Sequence, residues 1–155
     1  VRTNVFHQRL WLLVAGFGST AGALLHVVVV ISGRADWYYY FEAPPWVVQS
    51  VRDGTWVGPV SGLIIAALMQ AAGLFAFSAA GVTVRLPLLK SALVALSVIG
   101  ILRGLLIVPL LFYRPERMPP LRMFDWVAAI IWALMGFCFS VGAWQTIKGV
   151  EGEAN

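Results

Sequence analysis

Four long apolar stretches, separated by three polar ones, set the organisation of this chain. They cover residues 10–31, 57–80, 87–112 and 124–147. Each reaches or approaches the roughly 20 residues an α-helix needs to cross a hydrocarbon core of about 30 Å. The pattern predicts an all-α membrane protein: one domain over residues 1–155, built as a four-transmembrane-helix bundle. The first polar segment, residues 32–56, is the longest and carries the aromatic run Trp37–Phe41 and a Pro44–Pro45 break. Val47, Val48 and Val51, interleaved with polar residues, predict a short interfacial helix that the prolines open. Residues 113–123 form a polar turn, and the ends of the chain are polar.

Within the spans, small residues recur at helical spacing. Gly18 and Gly22 in the first span and Gly100 and Gly104 in the third make Gly-x-x-x-Gly pairs, and Ala15, Ser19 and Ala23 repeat the spacing. The second span aligns Gly58, Gly62, Ala66, Gln70 and Gly73; the fourth aligns Asp125, Ala129, Trp132, Gly136, Ser140 and Ala143. Such faces let backbones approach closely, first within the bundle and then toward a second copy or a partner membrane protein. Gln70 is placed to hydrogen-bond between helices. Pro109 is expected to kink the third span and free a carbonyl.

Composition agrees with this pattern: 60% of the residues are hydrophobic, 12% are charged, and the mean hydropathy is +0.84. A soluble domain carries about a quarter charged residues. The net charge of +4 comes without a basic cluster, so membrane lipid rather than nucleic acid is the expected partner. Cys138 is the only cysteine, which excludes an intrachain disulfide framework and a Cys-x-x-Cys redox centre. The first span is expected to be retained, since no convincing cleavage site follows it. Lysines and arginines divide equally between the two sides, so the positive-inside rule does not orient the bundle. The aromatic first loop resembles an external surface, which favours a bacterial inner-membrane protein with both termini cytoplasmic.

The candidate chemistry centres on Arg103, an arginine inside the third span. It cannot be neutralised, so it must snorkel, find a partner or face water. His26 on the first span and Asp125 at the start of the fourth fall toward the same loop-side end by depth. The expected ligand-binding set is therefore Arg103, His26, Asp125, Tyr38, Tyr39, Tyr40, Trp132 and Gln70, beneath the aromatic loop. For Arg103 the functional reading is an anion anchor; the structural one is a brace pairing with Asp36, Glu42, Asp125 or the carbonyl freed by Pro109. His26, Asp36 and Glu42 are the candidate acid–base residues of an enzymatic alternative acting on a lipid headgroup or prenyl-linked substrate. Against that stand their ordinary roles, an interhelical hydrogen bond for His26 and a solvated loop for the carboxylates.

No cofactor or metal is expected. His7 and His26 lie about 28 Å apart along a helix at ~1.5 Å per residue, too far to share one iron. A zinc site from His26 with Asp36 or Glu42 would be short of ligands. Protease, hydrolase-elbow and phosphate-loop motifs are missing. The leading expectation is a small integral membrane protein that binds an amphiphilic or anionic ligand, or a partner protein, at its loop-side face, as an accessory subunit of a larger system.

Overall fold

The computed structural model describes residues 2–113 and 121–153, with side chains from residue 9 to 113 and from 121 to 148. Arg114, Glu116 and Arg117 lie outside the described residues, as do the side chains of Arg2 and His7. Every regular element among the described residues is helical: α1 (Arg2–Ser32), α2 (Ala35–Tyr40), α3 (Pro45–Arg52), α4 (Val57–Ala79), α5 (Leu89–Leu105), α6 (Ile107–Phe112) and α7 (Met123–Glu153). Four stretches, Arg9–Ser32, Val57–Ala79, Leu89–Phe112 and Met123–Lys148, are long and apolar enough to span a bilayer. The chain is an all-α integral membrane protein with four long apolar helices, as in a four-span bundle, and short additional helices.

Two compact units divide the chain, Phe17–Gly73 and the remainder (Val1–Gly16 with Leu74–Asn155). In the larger unit the seam between α5 and α7 dominates. Leu89, Leu93, Ser97, Gly100 and Gly104 form the buried stripe of α5. Opposite them on α7, Ala129, Gly136 and Ala143 are buried. A methyl group built on Gly100 would stand 2.7 Å from the Cα of Gly136, and one on Gly104 would stand 2.7 Å from the backbone nitrogen of Ala133. The helices thus meet backbone to backbone, which only glycine permits at these positions. The Ser97 and Ser140 hydroxyls hydrogen-bond across the seam, and Ser140 also bonds its own helix at the Gly136 carbonyl, 3.0 Å away. The same unit packs Phe77 of α4 over Gly16, Leu12 over Gly142, and Trp11 edge-on against Phe137 at a ring separation of 5.5 Å.

The third apolar helix is interrupted within its span. It breaks at Leu106, between α5 and α6. Pro109 explains the position: it has no N–H to give the carbonyl four residues earlier, at Leu105, and its ring crowds that carbonyl. The proline's effect is therefore present as a one-residue interruption of the helix, just before it.

In the smaller unit the polar loop folds back on itself. Val29, Tyr38, Val47 and Val48 are its buried core, with Val30, Phe41 and Val51 against them. The interfacial helix predicted after the two prolines is α3, with Pro45 in its first turn. It is joined to α4 by a polar latch: Ser50 Oγ accepts the Gly58 amide at 2.8 Å and pairs with the Thr55 hydroxyl at 2.6 Å. Gly58 lies in the first turn of α4, so Ser50 satisfies an amide that the helix cannot satisfy itself. Ser50→Ala is expected to cost about 1–2 kcal/mol, in the range of a lost helix cap, read as a lower unfolding midpoint.

The small-residue faces divide unevenly. On α4, Gly58, Gly62, Ala66 and Gly73 are buried, and Gln70 is half-buried. On α1 the buried stripe is Ala15, Ser19 and Ala23, whereas Gly18 is exposed. The Gly-x-x-x-Gly pair at Gly18 and Gly22 is therefore not one packed face. Gly22 alone is covered, by the Met69 side chain.

Candidate functional site

Arg103 lies in the last turn of α5, between the packed glycines Gly100 and Gly104, but its own side chain is exposed. A helix turns about 100° per residue, so a neighbour of a seam position looks away from the seam. Arg103 has no hydrogen-bond or ion-pair partner among the described residues. It stands nine residues before the end of the Leu89–Phe112 span, about 14 Å at ~1.5 Å per residue. Its place in the last turn of α5 sets the cation near the negative end of the helix dipole and the carbonyls loosened by Pro109. That location favours the charge without neutralising it.

Asp125 has a definite structural task. Its carboxylate accepts the Arg122 amide at 2.6 Å, three residues back, while its own amide bonds to the Arg122 carbonyl at 3.0 Å. This is the reach-back half of a capping box at the start of α7, and it places a negative charge at the positive end of the helix. Trp132 is half-buried on α7.

His26 is half-buried on α1 and uses Nδ1 to donate to the Gly22 carbonyl at 2.9 Å, one turn earlier. The bond expected between helices is thus made within α1, and it fixes Nδ1 as the protonated nitrogen. Asp36 pairs with Arg34 at 3.4 Å, with the two side chains 79% and 64% exposed. A pair this open contributes well under 1 kcal/mol. Glu42 follows α2 with φ +59°, in the left-handed region. Its amide bonds to the Tyr39 carbonyl at 3.2 Å and the Ala43 amide to the Tyr38 carbonyl at 2.9 Å. That is a Schellman closure with glutamate where glycine is usual, at a cost of about 1–2 kcal/mol.

The aromatic run departs most from the expectation of an open interfacial loop. Ala35–Tyr40 is helical, so Tyr38, Tyr39 and Tyr40 point in different directions. Tyr39 and Tyr40 are exposed, whereas Tyr38 is only 4% exposed and belongs to the core. Its ring lies beside Gly62, and its hydroxyl has no hydrogen-bond partner among the described residues. Burial pushes the hydroxyl pKa above its ordinary value, so the group is neutral at physiological pH. A buried hydroxyl without a partner costs free energy. Tyr38→Phe is accordingly expected to leave stability unchanged or raise it by up to about 1–2 kcal/mol. A clear loss on chemical unfolding would mean the hydroxyl is satisfied in the membrane.

Sequence reasoning placed the polar residues by depth alone and did not anticipate the α5–α7 seam as the tightest contact. Nor did it find the basic recess at the start of α5, where Arg85 and Lys90 are too few to make a charge run. Among the described residues no three His, Cys, Asp or Glu side chains gather into a set that could hold a metal. The chain matches no protein-family model, and neither curated proteins nor solved structures give a match.

Proposed function

We propose that this small membrane bundle binds an anionic amphiphile, with Arg103 as the anchor for the anionic group. The observation that carries the reading is the exposed side chain of Arg103, deep in a span and without a partner among the described residues. A permanent cation at that depth is costly unless an anion or water meets it. A guanidinium offers a planar fork to phosphate or carboxylate that lysine lacks. Exposed Val98, Ile99, Leu102 and Leu106 around it supply an apolar surface for an acyl or prenyl chain. The binding face is on the loop side, external in the orientation with both termini cytoplasmic.

The test uses the full chain in neutral detergent, with lysophosphatidic acid titrated as the probe. A hydrogen bond to a charged group contributes about 1.5–3 kcal/mol, or roughly 10- to 100-fold in affinity. The parent should therefore be stabilised against heat at concentrations at least about tenfold lower than Arg103→Gln requires. Equal titrations of parent and variant overturn the reading.

A second reading, contact with another copy or a partner membrane protein, is favoured by Gly18 and Ala21, small residues left exposed on α1. The enzymatic alternative has less in its favour. Nδ1 of His26 is occupied within its own helix, and Asp36 is a solvated partner of Arg34.

A further inference from the structure

A second cationic feature lies at the opposite end of α5, about 21 Å along the helix from Arg103 at ~1.5 Å per residue. There a cavity of about 330 Å³ is lined by Arg85, Leu88, Leu89, Lys90, Ser91 and Thr146, with Leu86 completing the wall. We infer that this cavity holds the phosphate of an anionic phospholipid headgroup, in the leaflet opposite the one Arg103 approaches.

Four features converge. The first is depth: Leu89 opens one apolar span and Lys148, two residues beyond Thr146, closes another, so the cavity sits where hydrocarbon gives way to headgroups. The second is charge. Arg85 and Lys90 both line the cavity; among the described residues no carboxylate does, and neither cation has an ion-pair partner. Near an anionic leaflet each basic residue adds to the attraction.

The third is hydrogen bonding. Leu88, the residue capping α5, has φ +57° and no side-chain oxygen, so no side chain caps the first turn. The amides of Leu89, Lys90 and Ser91 have no carbonyl within the helix to reach. The Ser91 hydroxyl is in the same wall and can donate, whereas Thr146 gives its own proton to the Gly142 carbonyl at 2.8 Å and so bounds the cavity without donating into it. The fourth is the apolar rim. Leu88, in the cavity wall, is 79% exposed, and Val82 and Val84 elsewhere on the α4–α5 connection are exposed too, an arrangement suited to the acyl-chain boundary and poorly suited to water. A soluble phosphate would use the cations and amides but have no need of that rim.

The experiment compares the full chain, parent and Arg85→Gln/Lys90→Gln, by native mass spectrometry after exchange into nanodiscs. One lipid mixture is phosphatidylcholine alone and the other is phosphatidylcholine with phosphatidylglycerol. Phosphatidylglycerol should remain on the parent at least about tenfold more than on the double variant, with phosphatidylcholine retention equal in both. Lys90→Arg should keep the adduct, and Arg34→Gln, on the α1–α2 connection, should not affect it. Circular dichroism confirms that each variant is helical. Equal phosphatidylglycerol retention by parent and double variant overturns the site. Displacement of the lipid by inorganic phosphate at equal concentration overturns the lipid assignment, because it shows that the rim adds nothing. Neither result depends on Arg103, so this site and the loop-side one stand or fall separately.

Discussion

Gly136→Ala will lower the unfolding free energy by about 1–3 kcal/mol, and Gly136→Leu will leave the protein unable to close α5 on α7. A methyl group at Gly136 would stand 2.5 Å from the backbone nitrogen of Ile101 and 2.8 Å from the carbonyl carbon of Gly100. Neither atom ends a flexible side chain, so relief requires the helices to part. Parting them also stretches the Ser97–Ser140 hydrogen bond that closes the same seam. In a membrane, where lipid tails are as apolar as leucine, close packing and interhelical hydrogen bonds supply the association energy that hydrophobic burial supplies in water. Gly18→Ala is the matched control. Gly18 is exposed, so the change should leave stability the same or raise it slightly through helix propensity. Unfolding in mixed micelles with increasing denaturing detergent reads both; a Gly136→Ala protein as stable as Gly18→Ala refutes the seam.

Arg103→Leu will behave in a way that separates an anchor from a brace. A charged side chain at the middle of a membrane helix costs about 2.5–3.5 kcal/mol on insertion scales. If Arg103 awaits a ligand, its replacement by leucine removes that cost, and the ligand-free protein in neutral-lipid nanodiscs becomes more stable by about 1–3 kcal/mol. If Arg103 instead pairs internally, the same change strands its partner and destabilises by about 3–5 kcal/mol. The sign decides. The stabilised variant should also lose the protection that lysophosphatidic acid gives the parent, because the anion has nothing left to bind.

How far these features were legible in the sequence depends on the kind of force behind them. Span positions were legible because crossing a hydrocarbon core demands an uninterrupted apolar length; the four expected segments match the four long helices within one or two residues. The helix at Pro45–Arg52 was legible for a similarly local reason, a proline where the first turn tolerates one. Small-residue spacing was less informative. The same Gly-x-x-x-Gly signature occurs at Gly18–Gly22, where one member is exposed, and at Gly100–Gly104, where both face α7. Spacing states that two residues share a face; only the partner helix determines whether that face is used.

For the site, the sequence identified Arg103 as the residue to explain because a permanent charge is conspicuous against leucine and isoleucine. It could not show that Asp125 is engaged in capping α7, since that requires knowing that the helix begins at Met123. Nor could it show that the first tyrosine of the run, Tyr38, turns inward. A string of aromatics reads as interfacial on composition, and the inward turn of Tyr38 follows from six residues closing into a helix over Val29, Val47 and Val48. His26 shows the same limit at atomic scale: its depth was readable, but the acceptor one turn back in its own helix was not.

The central claim is that Arg103 holds an anionic group that does not belong to this chain's described residues. The most direct measurement is native mass spectrometry of the full-length chain released from its own membranes, parent beside Arg103→Gln. An anionic amphiphile should be retained by the parent and lost, by at least about tenfold in occupancy, from the variant. The same adducts at the same occupancy on both proteins would contradict it.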